Sequence, residues 1–145
     1  MRARDYSVSG AMLIKGRVAE GLRESSLFTH IPWVKEQFMT KLGIDPYLGT
    51  FNLDIIEEDL ERLGEVKKRR GIEITPADPA FCPARCFHVL VAGKIRGAIV
   101  FPEVPGYPES KLEIISCDKI MDALSLDVGD LVSVEILDNQ EATTP

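Results

Sequence analysis

Pro46-Tyr47-Leu48-Gly49-Thr50-Phe51-Asn52-Leu53-Asp54 is a turn that runs into a strand. Successive strand side chains point to opposite faces, so Thr50 and Asn52 share one face while Phe51 and Leu53 share the other. One face is therefore rich in oxygen and the other apolar. Pro46 fixes its own φ and Gly49 has no Cβ, which suits a tight turn where a ligand's phosphates can approach the backbone. A hydroxyl beside an amide carbonyl offers two hard, neutral oxygens of the kind Mg²⁺ accepts when phosphates supply the charge. The same letters also suit a turn followed by an ordinary edge strand, because Gly-Thr-x-Asn is a short pattern.

On the N-terminal side of this stretch, residues 32–42 read as a helix, with Pro32 at the first helical position and Gly43 just past the end. Val34, Phe38 and Leu42 recur every four residues and form a stripe for the core, while Lys35, Glu36 and Lys41 face water. Farther back, Met12-Leu13-Ile14-Lys15-Gly16-Arg17-Val18-Ala19 is rich in β-formers and reads as the first strand. The loop after it, Gly21-Leu22-Arg23-Glu24-Ser25-Ser26-Leu27-Phe28, combines a glycine, hydroxyls and a cation. That composition suits anionic oxygens, and it suits a solvated connection equally well.

On the C-terminal side, residues 57–70 begin acidic and end in Lys67-Lys68-Arg69-Arg70, matching a helix dipole, and Gly71 would stop the helix. The basic run reads as a solvated helix end rather than a binding patch. Residues 75–80 form a loop on their prolines, residues 86–91 alternate into a strand, Gly93-Lys94 turns the chain, and residues 95–101 return as a second, more apolar strand. Pro102, Pro105, Gly106 and Pro108 make a rigid loop of the kind that covers ligands. A strand over 111–115, a helix over about 118–124 capped by Ser116 or Asp118, a turn over 127–130 and a strand over 131–137 complete the chain. About six strands, short helices and no repeated βα period predict a mainly β protein, a small closed barrel with helical insertions.

The composition sets limits. A chain of 145 residues, 45% hydrophobic and 28% charged, fits one globular domain able to bury a core. We place that domain at residues 11–138, between an N-terminal extension (1–10) and a C-terminal tail (139–145). A net charge of −6 with a pI near 5.0 argues against nucleic acid as a partner. Three cysteines without framework spacing, no signal peptide and no apolar run approaching ~18 residues point away from a membrane and toward a reducing cytoplasm. Cys82, Cys86 and His88 are too few for a four-ligand zinc site, so that strand reads as core.

Taken in order, the Gly-Leu loop, the helix ending in Leu-Gly, Asp-Pro-Tyr-x-Gly-Thr-x-Asn-Leu, Gly-Ala-Ile-Val-x-Pro, Leu-Glu-Ile-Ile and Leu-x-x-Gly-Asp-x-Val resemble the archaeal-type CTP-dependent riboflavin kinases over residues 12–137. The resemblance implies a six-stranded cradle-loop β-barrel that transfers a phosphoryl group from a nucleoside triphosphate, CTP in that family, to riboflavin, giving FMN. It implies Mg²⁺ held by Thr50 and Asn52, and Glu113 in contact with the flavin; in a kinase reading a carboxylate such as Glu113 would be the catalytic base that accepts the riboflavin hydroxyl proton. Nucleotide contacts carry over to Gly21, Leu22, Arg23, Glu24, Ser25 and Ser26, and to Asp118, Lys119, Ile120 and Met121. Pro105 occupies the position of a flavin-binding threonine. The chain departs from the family pattern Gly-Leu-Gly-Glu-Gly-Arg by losing two glycines and moving the arginine, and Met121 stands where the family has a basic residue. A kinase with another donor or acceptor, and a non-catalytic barrel that binds a flavin or nucleotide, remain open on the residues alone.

Overall fold

The computed structural model describes residues 12–21, 29, 31–47 and 49–137. Seven strands form one antiparallel sheet: β1 (Met12–Ala19), β2 (Phe51–Ile55), β3 (Ile72–Ile74), β4 (Ala84–Val91), β5 (Ile95–Pro102), β6 (Lys111–Ile115) and β7 (Leu131–Ile136). The sheet runs β4-β5-β6-β2-β1-β7 and closes when β7 pairs back onto β4, so six strands make a barrel. Closure leaves part of one edge of β4 open, and β3 pairs there, with Ile72 opposite Cys86 and Ile74 opposite Ala84.

Period-two patterning decides what fills the barrel. Ile14 and Val18 of β1, Phe51, Leu53 and Ile55 of β2, Phe87, Val89 and Val91 of β4, Leu112 and Ile114 of β6 and Val132, Val134 and Ile136 of β7 belong to one buried cluster. Residues between them face outward. A second apolar layer forms outside the barrel, where Val34, Phe38 and Leu42 cover Ile74, Ala84, Cys86, Ala98, Val100 and Ile115. Phe38 is fully buried there, and its truncation to Ala would cost about 3–5 kcal/mol.

The helix predicted over 32–42 is present in two parts. α1 (Pro32–Gln37) is regular, and residues Phe38–Leu42 continue it as a π-helical turn before Gly43. Side chains then fasten it: Gln37 donates to the Thr75 carbonyl and accepts from the Thr75 N–H, both at 2.8 Å. This amide clamp ties α1 to the residue that follows β3.

Three expectations need correction. The helix predicted over 57–70 is shorter: a 3₁₀ turn (Glu57–Asp59) leads into α2 (Leu60–Lys67), and the chain turns before Gly71. Arg85 holds that exit by donating to the carbonyls of Lys67, at 2.6 Å, and Arg69. Lys67 is not a solvated helix end either, since its ammonium lies 5.5 Å from the centre of the Phe101 ring and donates to the Glu109 carbonyl at 3.1 Å. Burial lowers its pKa against the opposing pull of Glu109. The helix predicted over 118–124 spans only Ile120–Ala123 (α3), without a side-chain cap. Ser116 Oγ instead accepts from the Asp118 N–H and donates to the Arg96 carbonyl, fixing the loop that precedes α3. The β4–β5 turn centres on Ala92 and Gly93, whose φ values of 53° and 70° give the primed twist a short hairpin needs.

Cys86 is fully buried, and burial pushes its thiol up to about 12, whereas Cys82 and Cys117 are exposed. Thiol titration of the native protein should therefore label Cys82 and Cys117 rapidly and Cys86 only after denaturation; rapid labelling of Cys86 would contradict the outer apolar layer. Asp59 is the buried anchor between β1 and α2, accepting the Lys15 N–H at 2.8 Å and pairing with Arg62. Asp59→Ala should lower stability by about 1–3 kcal/mol in a denaturant titration, because it removes the acceptor that the Lys15 N–H uses.

Candidate active site

Barrel closure assigns the even-numbered residues of β2 to the outside, and Asn52 on that face lies directly opposite Glu113 of β6. Thr50, one residue before the strand, turns its side chain to the same place. Asn52 Nδ2 donates to the Thr50 carbonyl at 2.9 Å and to Thr50 Oγ1 at 3.2 Å. Thr50 Oγ1 in turn donates to Glu113 Oε1 at 3.1 Å. The other carboxylate oxygen, Glu113 Oε2, accepts from the Tyr107 hydroxyl at 2.5 Å. Burial, the hydrogen bond and the nearby carboxylate all push the Tyr107 phenol well above its ordinary range, so it stays a donor.

Asn52 is 4% exposed, and its Oδ1 has no hydrogen-bond partner among the described residues. The amide cannot reverse to cure this, since that would set two carbonyl oxygens 2.9 Å apart. A buried acceptor left unpaired costs about 1–3 kcal/mol, and a cation at that oxygen would remove the cost. Thr50 Oγ1 gives its proton to Glu113 and one lone pair to Asn52, which leaves it a second lone pair. The donor set thus fits a hard cation such as Mg²⁺ whose remaining ligands are phosphate oxygens.

Gly21 closes over this pair. A Cβ there would stand 2.3 Å from Asn52 Nδ2 and 3.1 Å from Asn52 Cγ, so the first glycine of the loop is required by the amide beneath it. Leu22, Arg23, Glu24, Ser25 and Ser26 lie outside the described residues. Asp118, Lys119, Ile120 and Met121 join Tyr47, Gly49, Thr50, Phe51, Ile114 and Ser116 around a recess of about 110 Å³. Ile120 is buried and serves as wall and core rather than as a polar contact. Lys119 brings a cation to the rim, 3.6 Å from Asp122.

A larger cavity of about 340 Å³ is lined by Tyr107, a hydrogen-bond partner of Glu113, with Phe101, Pro102, Val104 and Pro105 as further walls and Lys67, Arg85 and Glu103 at its polar border. Pro105 lines this cavity and not the recess at Asp118–Met121. Sequence reading missed Tyr107. Its signal is a lone aromatic inside a Pro-Gly-Tyr-Pro loop six residues before Glu113, a placement that only the fold converts into contact.

Cys86 and His88 do not join the site. Among the described residues, no three His, Cys, Asp or Glu side chains converge to hold a metal ion. His88 lies below its ordinary pKa, through burial and then the nearby Arg96. No helix among the described residues is long and apolar enough to cross a membrane.

Residues 18–136 match the profile of the CTP-dependent riboflavin kinase family, described as domain of unknown function DUF120. The chain belongs to this family. It is 38% identical to a riboflavin kinase of Archaeoglobus fulgidus over 135 residues, which cover 91% of this chain and 58% of the relative. It is 36% identical to a riboflavin kinase of Methanobrevibacter smithii over 124 residues, covering 86% of this chain and 99% of the relative. A riboflavin kinase of Methanosarcina barkeri matches at 32% over 126 residues, 85% of this chain and 56% of the relative. This member of the riboflavin kinase family thus spans a little over half the length of the first and third relatives and nearly all of the second.

Gly21→Ala tests the packing at the centre of the site. The added methyl must displace the Asn52 amide and break its bonds to Thr50, so the Asn52 side-chain NH₂ resonances should move in an NMR spectrum while those of β4 and β5 stay in place. Unmoved Asn52 resonances would contradict the contact.

Proposed function

We propose that the protein transfers the γ-phosphoryl group of a nucleoside triphosphate to riboflavin, giving FMN and the nucleoside diphosphate, with CTP the donor that its family indicates. The observation that carries the reading is the position of Glu113. Its carboxylate is bonded at one oxygen to Thr50, which lines the recess of Asp118–Met121, and at the other to Tyr107, which lines the cavity of Pro105. Donor and acceptor would approach from those two spaces and meet at Glu113.

Thr50 and Asn52 would hold Mg²⁺, which when bound neutralises charge on the donor's phosphates. Lys119 stands at the rim of the recess to offset phosphate charge, and Arg23 would do the same from the loop after β1. Glu113 accepts the proton of the flavin's terminal ribityl hydroxyl as that oxygen bonds to the γ-phosphorus and the bridging oxygen leaves with the diphosphate. General-base assistance of this kind contributes about 10²–10⁴ in rate. Pro105, Phe101 and Tyr107 give the acceptor an apolar wall in place of the hydroxyl that the family pattern carries. The reading places the protein in the cytoplasm, where Cys82 and Cys117 persist as free, exposed thiols.

The altered loop Gly21-Leu22-Arg23-Glu24-Ser25-Ser26 favours a second reading in which chemistry is kept and donor choice has shifted. One assay separates them: riboflavin, Mg²⁺ and CTP, ATP, GTP or UTP in turn, read by FMN formation. CTP should be the best donor; a different best donor selects the second reading, and no FMN with any donor overturns both. Asn52→Ala and Thr50→Val should each lower turnover about 100-fold or more, as loss of a charge-stabilising group does, and leave the fold intact. Each should also weaken nucleotide binding in Mg²⁺ far more than in EDTA. Wild-type turnover in both variants would remove the metal assignment.

A further inference from the structure

We infer that Tyr107 is a positioning residue of this active site, fixing the catalytic carboxylate of Glu113 from the acceptor side through its hydroxyl. The inference rests on the kinase reading above and adds a residue outside the motifs that carry the resemblance. Glu113 is half-buried on the outer face of β6, where strand geometry fixes its Cβ but leaves its three side-chain torsions to its neighbours. Thr50 restrains Oε1 from the β2 side at 3.1 Å. A bond at Oε1 leaves the position of Oε2 to other contacts. Tyr107, from the loop between β5 and β6, supplies one at Oε2. Two donors on separate elements define the carboxylate plane as one cannot.

The loop is built to hold the phenol there. The Tyr107 N–H donates to the Val104 carbonyl at 3.2 Å, the Lys111 N–H donates to the Pro108 carbonyl at 3.3 Å, and Lys67 reaches across to the Glu109 carbonyl at 3.1 Å. Prolines at 105 and 108 stiffen both flanks. Burial and the bond to Glu113 raise the phenol's pKa and keep the proton on its hydroxyl. Each carboxylate oxygen has lone pairs beyond the one Tyr107 or Thr50 occupies, and an incoming hydroxyl can bond to Glu113 without displacing either.

Tyr107→Phe keeps the ring that walls the cavity and deletes only the hydroxyl. With the donor chosen by the assay above, kcat should fall about 10- to 100-fold, while KM for riboflavin and for the nucleotide should change by less than about threefold. In a Glu113→Gln background the same substitution should cost less than about twofold, because the group it positions is already gone. A merely structural Tyr107 would lower stability or raise KM and would cost the same in both backgrounds. Unchanged kcat in Tyr107→Phe, or equal losses in both backgrounds, overturns the assignment while the kinase reading stands. A wild-type protein that forms no FMN overturns the kinase reading and the role of Tyr107 with it.

Discussion

Pairing of β7 back onto β4 closes the barrel, and that closure decides which side of every strand is dry. Once the interior takes Phe51, Leu53 and Ile55 from β2 and Leu112 and Ile114 from β6, the residues between them must lie outside. Asn52 and Glu113 are two of these, and the register makes them direct cross-strand neighbours. A polar pair on the outer face of a barrel would ordinarily be solvated. Here Gly21 lies against Asn52 and the loop before β6 brings Tyr107 to Glu113, so polar groups are drawn into a partly buried cluster without disturbing the core. Stability and chemistry are thereby assigned to opposite faces of the same strands.

Much of this was legible in the residues. The strands read over 12–19, 86–91, 95–101, 111–115 and 131–137 are present nearly as read, and the Gly-Thr-x-Asn alternation puts Thr50 and Asn52 together, as the hydrogen bonds between them bear out. What was not legible depends on distant partners. β3 is only three residues long, too short to display a period, and it exists because β4 has an open edge beyond the end of β7. The early end of α2 follows from Arg85 binding the carbonyls of Lys67 and Arg69, a contact between segments 16 to 18 residues apart. The late start of α3 reflects Ser116 spending its hydroxyl on Asp118 and Arg96. Tyr107 escaped notice for the same kind of reason, since no pattern in its own loop points at Glu113.

The family to which the chain belongs and the geometry of the cluster bear on different questions. The family's name indicates a reaction class and a donor. The cluster supplies reasons for particular residues: Asn52 Oδ1 is a buried acceptor with no described partner, Thr50 Oγ1 keeps a lone pair, and Glu113 is bonded to one residue that lines the recess and one that lines the cavity. Recess and cavity are built from different parts of the chain: residues within 47–51 and 114–121 line the smaller, and residues within 101–107 with Lys67 and Arg85 line the larger.

The central claim is that Thr50 and Asn52 form the protein's half of a cation site that is completed by a nucleotide. A crystal structure of the protein with Mg²⁺ and a non-hydrolysable CTP analogue tests it most directly. The account predicts one cation bound to Asn52 Oδ1 and Thr50 Oγ1 as well as to phosphate oxygens, with the nucleotide in the recess of Asp118–Met121. A nucleotide bound elsewhere, or a cation that leaves Asn52 Oδ1 without a ligand, would contradict it.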